Sequence, residues 1–146
     1  MTYILLLNIV SAFILTGLIL TIQFVHYPSF QYISERQFEK FHHFHSKRIS
    51  FVVIPLMLIE LVSSLILYIN NQDNMISIVF LINLILVVSI WALTFLGIVP
   101  IHNQLSKALD DLSLKRLLFF NFFRMILWVL RSLLMIILLG FLFEII

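Results

Sequence analysis

Four long apolar segments, separated by short polar ones, constrain this chain more than any other feature. They span about residues 4–25, 49–69, 76–99 and 117–143. Each is long enough to cross the ~30 Å hydrocarbon core of a bilayer as an α-helix. A soluble domain of 146 residues could not bury a chain that is 62% hydrophobic, because a small globule keeps much of its surface in water. The sequence therefore predicts an all-α fold, in which residues 1–146 form a single four-transmembrane-helix bundle in a lipid bilayer.

The positions of the basic residues predict the orientation of this bundle. Every Lys and Arg outside the fourth span lies in segments 26–48 or 101–116, which fall on the same side of the membrane. The opposite side carries both termini and the 70–75 turn, without a basic residue. The positive-inside rule then puts the basic segments in the cytoplasm and both termini outside. We expect a bacterial inner (plasma) membrane protein whose first span is retained rather than cleaved.

Prolines and a polar turn mark where the spans are expected to end. Tyr27-Pro28 closes the first span and Pro100 closes the third, since proline lacks the backbone N–H that a helix interior needs. Residues 70–74 form a polar turn between the second and third spans.

The second helix is predicted to begin well before its membrane span and to extend into the cytoplasm. Ser34, followed three residues later by Gln37, is typical of a helix N-cap and capping box. Nothing interrupts the helical pattern before Pro55, and a proline inside a membrane helix usually kinks the helix rather than ending it. One stripe of this helix carries His42, His45, Ile49, Val52, Leu56, Glu60 and Ser63. A functional site is therefore expected on that face.

Five histidines are expected at one depth, the cytoplasmic edge of the membrane. They are His26 after the first span, His42, His43 and His45 before the second, and His102 after the third. Neutral imidazole is the commonest protein ligand for transition metals. The predicted metal ligands are His26, His42, His45 and His102, assisted by Glu39 or Glu60. The expected cofactor is iron, copper or zinc, or a haem held by His26 and His102. In the alternative interpretation these histidines are only amphipathic interface residues, with His43 in solvent.

Charged residues inside the apolar spans form a second candidate site. Glu60 and Arg131 lie deep in their spans, where a charge is costly unless it faces the bundle interior and finds a partner. We predict that Glu60 pairs with Arg131 or Arg124. Asn121, Arg124, Trp128 and Arg131 recur at helical spacing and share one face. The predicted catalytic set is Glu60, Asn121, Arg124 and Arg131, in which an arginine holds an anion or an enolate-like oxygen.

A structural interpretation of the same polar residues stays open. The ion pair would then only fix helix register, although such a pair often stabilises little more than a well-packed apolar pair. Asn83 and Ser89 in the third span are expected to form interhelical hydrogen bonds.

Several classes of protein are excluded by composition. The chain has no cysteine, which excludes disulfides, thiolate metal sites and thiol redox relays. No basic run is interleaved with aromatic residues, so no nucleic acid is expected as a partner.

Three short motifs resemble the anthrone-oxygenase-like family of small four-helix membrane proteins. They are Gln23-x-x-His26-Tyr27-Pro28, Pro100-x-His102-x-x-Leu105 and Asn121-x-x-Arg124-x-x-x-Trp128-x-x-Arg131-Ser132. The family pattern has Asn at the position of His102 and lacks the histidine cluster of residues 41–45, so the histidines would belong to this subgroup alone. The resemblance implies a membrane oxidoreductase-like pocket open to hydrophobic aromatic substrates, with Arg124 and Arg131 in the shared motif.

These observations favour an integral membrane protein with a polar site at the cytoplasmic side of the bundle. The leading hypothesis is a metal- or haem-assisted oxidoreductase that acts on a hydrophobic substrate, such as an aromatic or quinone-like molecule. A small proton-coupled transporter or ligand-binding bundle that uses Glu60 is the first alternative. A structural or assembly protein without catalysis is the second. The sequence leaves open whether the chain forms a homo-oligomer.

Overall fold

The computed structural model describes residues 1–71 and 73–142 of the chain. That part consists of helices and turns, without a β-strand. The α-helices are α1 (Thr2–Thr21), α2 (Glu35–Asn70), α3 (Asn74–Leu93), α4 (Val99–Leu105) and α5 (Asp111–Leu142). A π-helical turn, Ile22–His26, and a 3₁₀ turn, Pro28–Tyr32, follow α1, and a second π-helical turn, Thr94–Ile98, joins α3 to α4. Gln72 in the predicted polar turn and Phe143 in the predicted fourth span lie outside the described residues.

The helices confirm the predicted fold class of a four-helix membrane bundle. The segments long and apolar enough to cross a membrane are Thr2–Tyr32, Glu35–Asn70, Asn74–Leu105 and Asp111–Leu142. Large apolar side chains such as Phe51, Leu96 and Ile137 are exposed on the outside of the bundle, where they fit the acyl chains of a bilayer. The side of the membrane on which each end lies stays a prediction.

Helix α2 begins and continues as the sequence predicted, although its cap differs. Ser34 is its N-cap residue, but the Ser34 side chain makes no capping hydrogen bond, so the predicted capping box is wrong. The backbone carbonyl of Ser34 instead accepts from the amides of Gln37 and Phe38. The helix runs without a break through Pro55. Its 36 residues correspond to about 54 Å at 1.5 Å per residue, so it extends beyond a bilayer core.

The helical path does not end at Pro100, where the sequence predicted a stop. The π-helical turn Thr94–Ile98 comes first, and Pro100 then occupies the first turn of α4. Proline is common in a first helical turn because its fixed φ of about −65° suits a helix. The chain stays helical to Leu105, and α4 carries His102.

The helices pack in an up-and-down arrangement with three apolar clusters along its axis. Helix α1 packs against α2 and α5, and α3 packs against the same two helices. One cluster, with Phe30 and Phe38, lies where α1 ends and α2 begins. A second lies around Leu15, Met57 and Trp128, and a third around Ile9, Leu67, Phe80, Met135 and Leu138. Between the second and third clusters each of the four long helices (α1, α2, α3 and α5) contributes a buried polar residue, and these residues form the network described below.

Candidate functional site

Four of the histidines meet at one end of the bundle. This end is called here the histidine end (His26, His42, His45 and His102). Nε2 of His26 lies 2.7 Å from Nδ1 of His45, and Nε2 of His42 lies 2.9 Å from Nδ1 of His102. The ring centroids of His45 and His102 are 6.2 Å apart, so the two pairs adjoin. His43 is exposed, as the sequence indicated. The predicted convergence of these four rings is present in the structure.

Aromatic side chains and local helix geometry hold these rings in place. The first π-helical turn ends at His26, and the ring of Phe30 packs edge-on against it at 5.2 Å. The ring of Phe38 stacks on His42 at 5.6 Å. Both phenylalanines are fully buried. The sequence therefore encodes an aromatic support for the histidines as well as the histidines themselves.

The four histidine rings are hydrogen-bonded to one another in two pairs rather than arranged around one common point. In residues 1–71 and 73–142 no group of three or more His, Asp or Glu side chains has the arrangement of a metal site. Glu39, one of the predicted assisting carboxylates, is exposed. Two ring nitrogens, Nδ1 of His42 and Nε2 of His45, are buried without a hydrogen-bond partner. Metal or haem binding therefore stays a prediction.

A tyrosine to which the sequence assigned no role joins this end of the bundle. The hydroxyl of Tyr27 lies 3.0 Å from Nε2 of His102, and the Tyr27 side chain is buried. Tyr27, His102 and His42 thus form a continuous hydrogen-bonded chain, because His102 uses one ring nitrogen for each neighbour.

The second predicted constellation is a closed polar network in the middle of the bundle. Arg131 forms an ion pair with Glu60, and both side chains are fully buried. The indole Nε1–H of Trp128 donates to Oε1 of Glu60 at 3.0 Å. Nε of Arg131 donates to Oδ1 of Asn83 at 2.8 Å, and Nη2 donates to Oδ1 of Asn8 at 2.9 Å. Each guanidinium nitrogen of Arg131 therefore has an acceptor, and the predicted pairing of Glu60 with Arg131 is confirmed.

Side-chain hydrogen bonds tie this network to every long helix of the bundle. The amide of Asn8 donates to the hydroxyls of Ser63 at 2.7 Å and Ser64 at 2.8 Å. The amide of Asn83 donates to the same Ser64 hydroxyl at 2.9 Å, which confirms its predicted interhelical role. The prediction for Ser89 is wrong: its hydroxyl is exposed and donates to the carbonyl of Ile85 in its own helix. One buried network therefore links the four long helices, and within it Glu60 accepts from Trp128 and Arg131.

Arg124 lies on the same helix as Arg131 but in different surroundings. Its side chain is only 5% exposed. Nη1 reaches Oδ1 of Asn121 at 3.4 Å, while Nε is buried without a partner. Asn121 in turn donates to Oε1 of Gln23 at 2.8 Å. Within the described part of the chain the only ion pair is that of Glu60 and Arg131, so no carboxylate balances the charge of Arg124.

Arg124 lines a cavity that the sequence did not indicate. The cavity has a volume of about 340 Å³ and lies between α2, the second π-helical turn and α5. Its polar lining consists of Tyr27, Ser46, Ser50, Trp91, Thr94, His102, Asn103 and Arg124. The remaining lining is apolar and consists of Ile22, Ile49, Val53, Ile54, Met57, Phe95, Ile98 and Val99. Cavities of about this size and composition commonly hold small molecules.

Both π-helical turns border this cavity. Ile22 lies in the first turn, and Thr94, Phe95 and Ile98 lie in the second. A π-helical turn widens a helix locally and recurs at functional sites in proteins. The widened backbone is what carries Tyr27 and His102, which follow the two turns, into the cavity lining.

The structure therefore divides the predicted site residues into two groups. Asn121, Arg124 and the histidines lie at or beside the cavity end of the bundle, whereas Glu60 and Arg131 lie in the closed network. Sequence reasoning missed Ser46 and Trp91, whose polar atoms are buried without partners in the cavity lining. Tyr27 could have been found, because it directly follows His26 in the sequence, where histidines are predicted to converge.

Comparisons of the chain with protein-family models, with curated proteins and with solved structures find no match.

Proposed function

We propose that this chain is an integral membrane protein that binds a hydrophobic small molecule by an oxygen atom of that molecule, and moves a proton to or from it. The observation that carries this proposal is Arg124: a buried guanidinium without a carboxylate partner, in the wall of an otherwise largely apolar cavity. Burying an unpaired charge is costly. A bound oxyanion or carbonyl oxygen would satisfy that charge and the free Nε–H together.

The chain from Tyr27 to His42 supplies the acid–base group of this proposal. Tyr27 and His102 line the cavity beside Arg124. When a substrate methylene group that is conjugated to a carbonyl loses a proton, the electron pair of the C–H bond moves through the conjugated system to the carbonyl oxygen, where Arg124 would stabilise the enolate. The Tyr27 oxygen would take the proton while its own hydroxyl proton passes to Nε2 of His102, at a separation of 3.0 Å.

An oxidoreductase function would add one step to this chemistry. Dioxygen would react with the enolate, so that the two hydrogens of a methylene group are replaced by one oxygen atom and the second oxygen leaves as water. The resemblance to the anthrone-oxygenase-like family motivates this step and supports an aromatic or quinone-like substrate. We further propose that the histidine end faces the cytoplasm of a bacterial inner membrane, in accord with the positive-inside rule.

Proton exchange on a model substrate tests the proposal before any oxidation is considered. The purified protein is reconstituted in phosphatidylcholine vesicles with anthrone in deuterated buffer under nitrogen, and deuterium uptake at the methylene carbon is followed by mass spectrometry. We expect wild-type protein to accelerate exchange by about a hundredfold or more, and Arg124→Met and Tyr27→Phe to lose most of this effect. Glu39→Gln, at an exposed residue, is the matched control. Exchange no faster than in protein-free vesicles would contradict the proposal.

Admission of air to the same samples tests the oxidation step separately. Quinone formation, followed by absorbance, should then depend on Arg124 and Tyr27 in the same way as proton exchange. Proton exchange without quinone formation would support the acid–base function and contradict the oxidoreductase function.

A second candidate function is metal- or haem-assisted oxidation at the histidine end. It is favoured by Nδ1 of His42 and Nε2 of His45, which are buried ring nitrogens without partners. His26, and His102 once it gives up one of its hydrogen bonds, would complete the ligand set of iron, copper or zinc. Iron or copper would supply electron transfer, whereas zinc, which has no redox chemistry, would act as a Lewis acid. Elemental analysis and an optical spectrum of the purified protein test this candidate. A stoichiometric metal or a haem band that disappears in His42→Ala or His102→Ala would support it, and metal-free wild-type protein would count against it.

A further inference from the structure

We infer that the cavity takes a membrane-dissolved molecule whose polar end carries only hydrogen-bond acceptors, and that this molecule enters sideways from the bilayer. The inference rests on the proposed ligand role of Arg124 but not on proton transfer. It names the chemistry of the ligand and its route, which the proposed function leaves open.

The free polar atoms in the cavity lining define the acceptor chemistry. Nε of Arg124, Nε1 of Trp91 and Oγ of Ser46 are all buried without hydrogen-bond partners, and all three residues line the same cavity. Arg and Trp side chains can only donate, while a hydroxyl can do either. Two of these three unpartnered groups are therefore donors without an acceptor, and the third, the Ser46 hydroxyl, can also donate.

The protein does not supply the missing acceptor from an acidic side chain. In the part of the chain that the structure describes, no Asp or Glu belongs to this lining. A carboxylate or a quinone would bring oxygens that accept from Arg124 and Trp91, whereas an amine would bring only further donors and a positive charge. The geometry of guanidinium favours such oxygens, because its N–H groups form a planar fork.

The outer wall of the cavity consists of residues that also face the lipid. Ile54 and Phe95 line the cavity and are 52% and 56% exposed on the outside of the bundle. Both are apolar, so this side of the cavity, between α2 and the second π-helical turn, faces acyl chains rather than water. Asn103, an exposed polar residue, lines the cavity toward the histidine end. A ligand route through the first side can therefore be tested against a route through the second.

Fluorescence quenching in vesicles tests the ligand class. Dibrominated stearic acid and a short-tailed benzoquinone serve as probes for the carboxylate and quinone arms, and dibrominated stearylamine serves as the control. We expect saturable quenching of Trp91 by at least one acceptor probe and none that saturates with the amine. Trp91→Phe identifies the quenched residue, because Trp128 is the only other tryptophan. Arg124→Met should weaken the binding about tenfold to a hundredfold.

Three outcomes of this experiment would overturn the ligand class. They are saturable binding of the amine, no saturable binding of either acceptor probe, and binding unaffected by Arg124→Met. The arm that binds distinguishes a carboxylate from a quinone. Loss of proton exchange with binding intact would remove the proposed acid–base function while leaving this inference standing.

The absence of cysteine from the chain allows the route to be blocked at one position at a time. Phe95→Cys and Asn103→Cys are each labelled with a bulky maleimide in detergent and then reconstituted, with the unlabelled variants as matched controls. We expect the label at residue 95 to slow probe binding about tenfold or more and the label at residue 103 to slow it much less. The reverse pattern would show access from the aqueous side and would overturn the lateral route.

Discussion

The guanidinium carbon of Arg124 lies 5.0 Å from the centroid of the Trp128 indole ring. The Nε1–H of the same indole donates to Glu60 at 3.0 Å. Trp128 therefore lies between the closed network and the cavity. The edge of its indole ring donates to Glu60 in the network, and the face of the ring contacts the Arg124 cation beside the cavity. A buried cation–π contact of this kind contributes about 2 kcal/mol, which holds Arg124 in position without neutralising it. The two arginines of α5 thus have different surroundings: Arg131 is paired with a carboxylate, and Arg124 contacts an aromatic ring.

The Glu60–Arg131 pair is expected to stabilise the bundle as a unit. Removal of one partner leaves the other charge buried and unpaired, so Glu60→Gln and Arg131→Gln should each lower the free energy of unfolding by about 3–5 kcal/mol. The double variant should lose less than the sum of the two, since it buries no lone charge. Denaturant unfolding in detergent measures this cycle, with Glu39→Gln as an exposed control. Strict additivity would show that the two groups do not interact.

The second π-helical turn requires a residue without a side chain at position 97. A Cβ atom built on Gly97 would lie 2.8 Å from Cδ1 of Phe120, which is closer than real Cβ contacts. Gly97→Ala should therefore lower the free energy of unfolding by about 1–3 kcal/mol, as overpacking does elsewhere. Because the clash is with Cγ, Cδ1 and Cε1 of one ring, Gly97→Ala should cost little in a Phe120→Ala background, where those atoms are absent. Gly17→Ala, with nothing near its Cβ position, is the matched control.

Asp110 caps the first turn of α5 in a manner that depends on pH. The hydroxyl and the backbone amide of Ser113 donate to its carboxylate at 2.6 and 2.8 Å, and these bonds hold the pKa of Asp110 below its usual value of 3.8. A lowered pKa means that the folded state favours the charged form. The stabilisation is therefore present above pH of about 4 and is lost as pH falls through the lowered pKa.

Hydrogen exchange of the backbone amide of Ser113 checks this effect directly. Asp110→Ala should increase exchange at neutral pH, because the amide loses its acceptor. Asp111→Ala should change it little, since Asp111 is the first helical residue and makes no such bond in the structure. Equal exchange in the wild type and Asp110→Ala would contradict the cap.

The sequence predicted the bundle well because membrane folding depends on features that a sequence displays directly. Span length, apolar runs and the cost of intramembrane charge led to the four helices, to the long α2 and to the Glu60–Arg131 pair. The stripe on α2 was also largely right: His42, His45 and Glu60 are buried, whereas Val52 at the edge of the stripe is 46% exposed. These predictions succeeded for one reason. The 3.6-residue period of a helix and a charged residue inside an apolar span are both visible in a short stretch of sequence.

The cavity could not be predicted in the same way. It depends on two π-helical turns, and a single extra residue in a helical turn leaves no clear signal in the pattern of apolar residues. The sequence predicted a helix end at Pro100 for the same reason, because the π-helical turn before α4 has no signal of its own in the apolar pattern. The different surroundings of Arg124 and Arg131 could not be predicted from the sequence either. Both arginines belong to one helical face, and only the packing in the structure shows which of them meets Glu60.

The central claim is that Arg131 is structural and Arg124 is held for a ligand. Unfolding of Arg124→Met and Arg131→Met, in delipidated protein and one detergent, tests it most directly. We predict that Arg131→Met loses about 3–5 kcal/mol of unfolding free energy, because Glu60 is left unpaired. Arg124→Met should lose at most about 2 kcal/mol, the contribution of its cation–π contact with Trp128, because it also removes an unbalanced buried charge. An Arg124→Met variant that is as unstable as Arg131→Met would contradict the account, because Arg124 would then be another structural contact of the bundle.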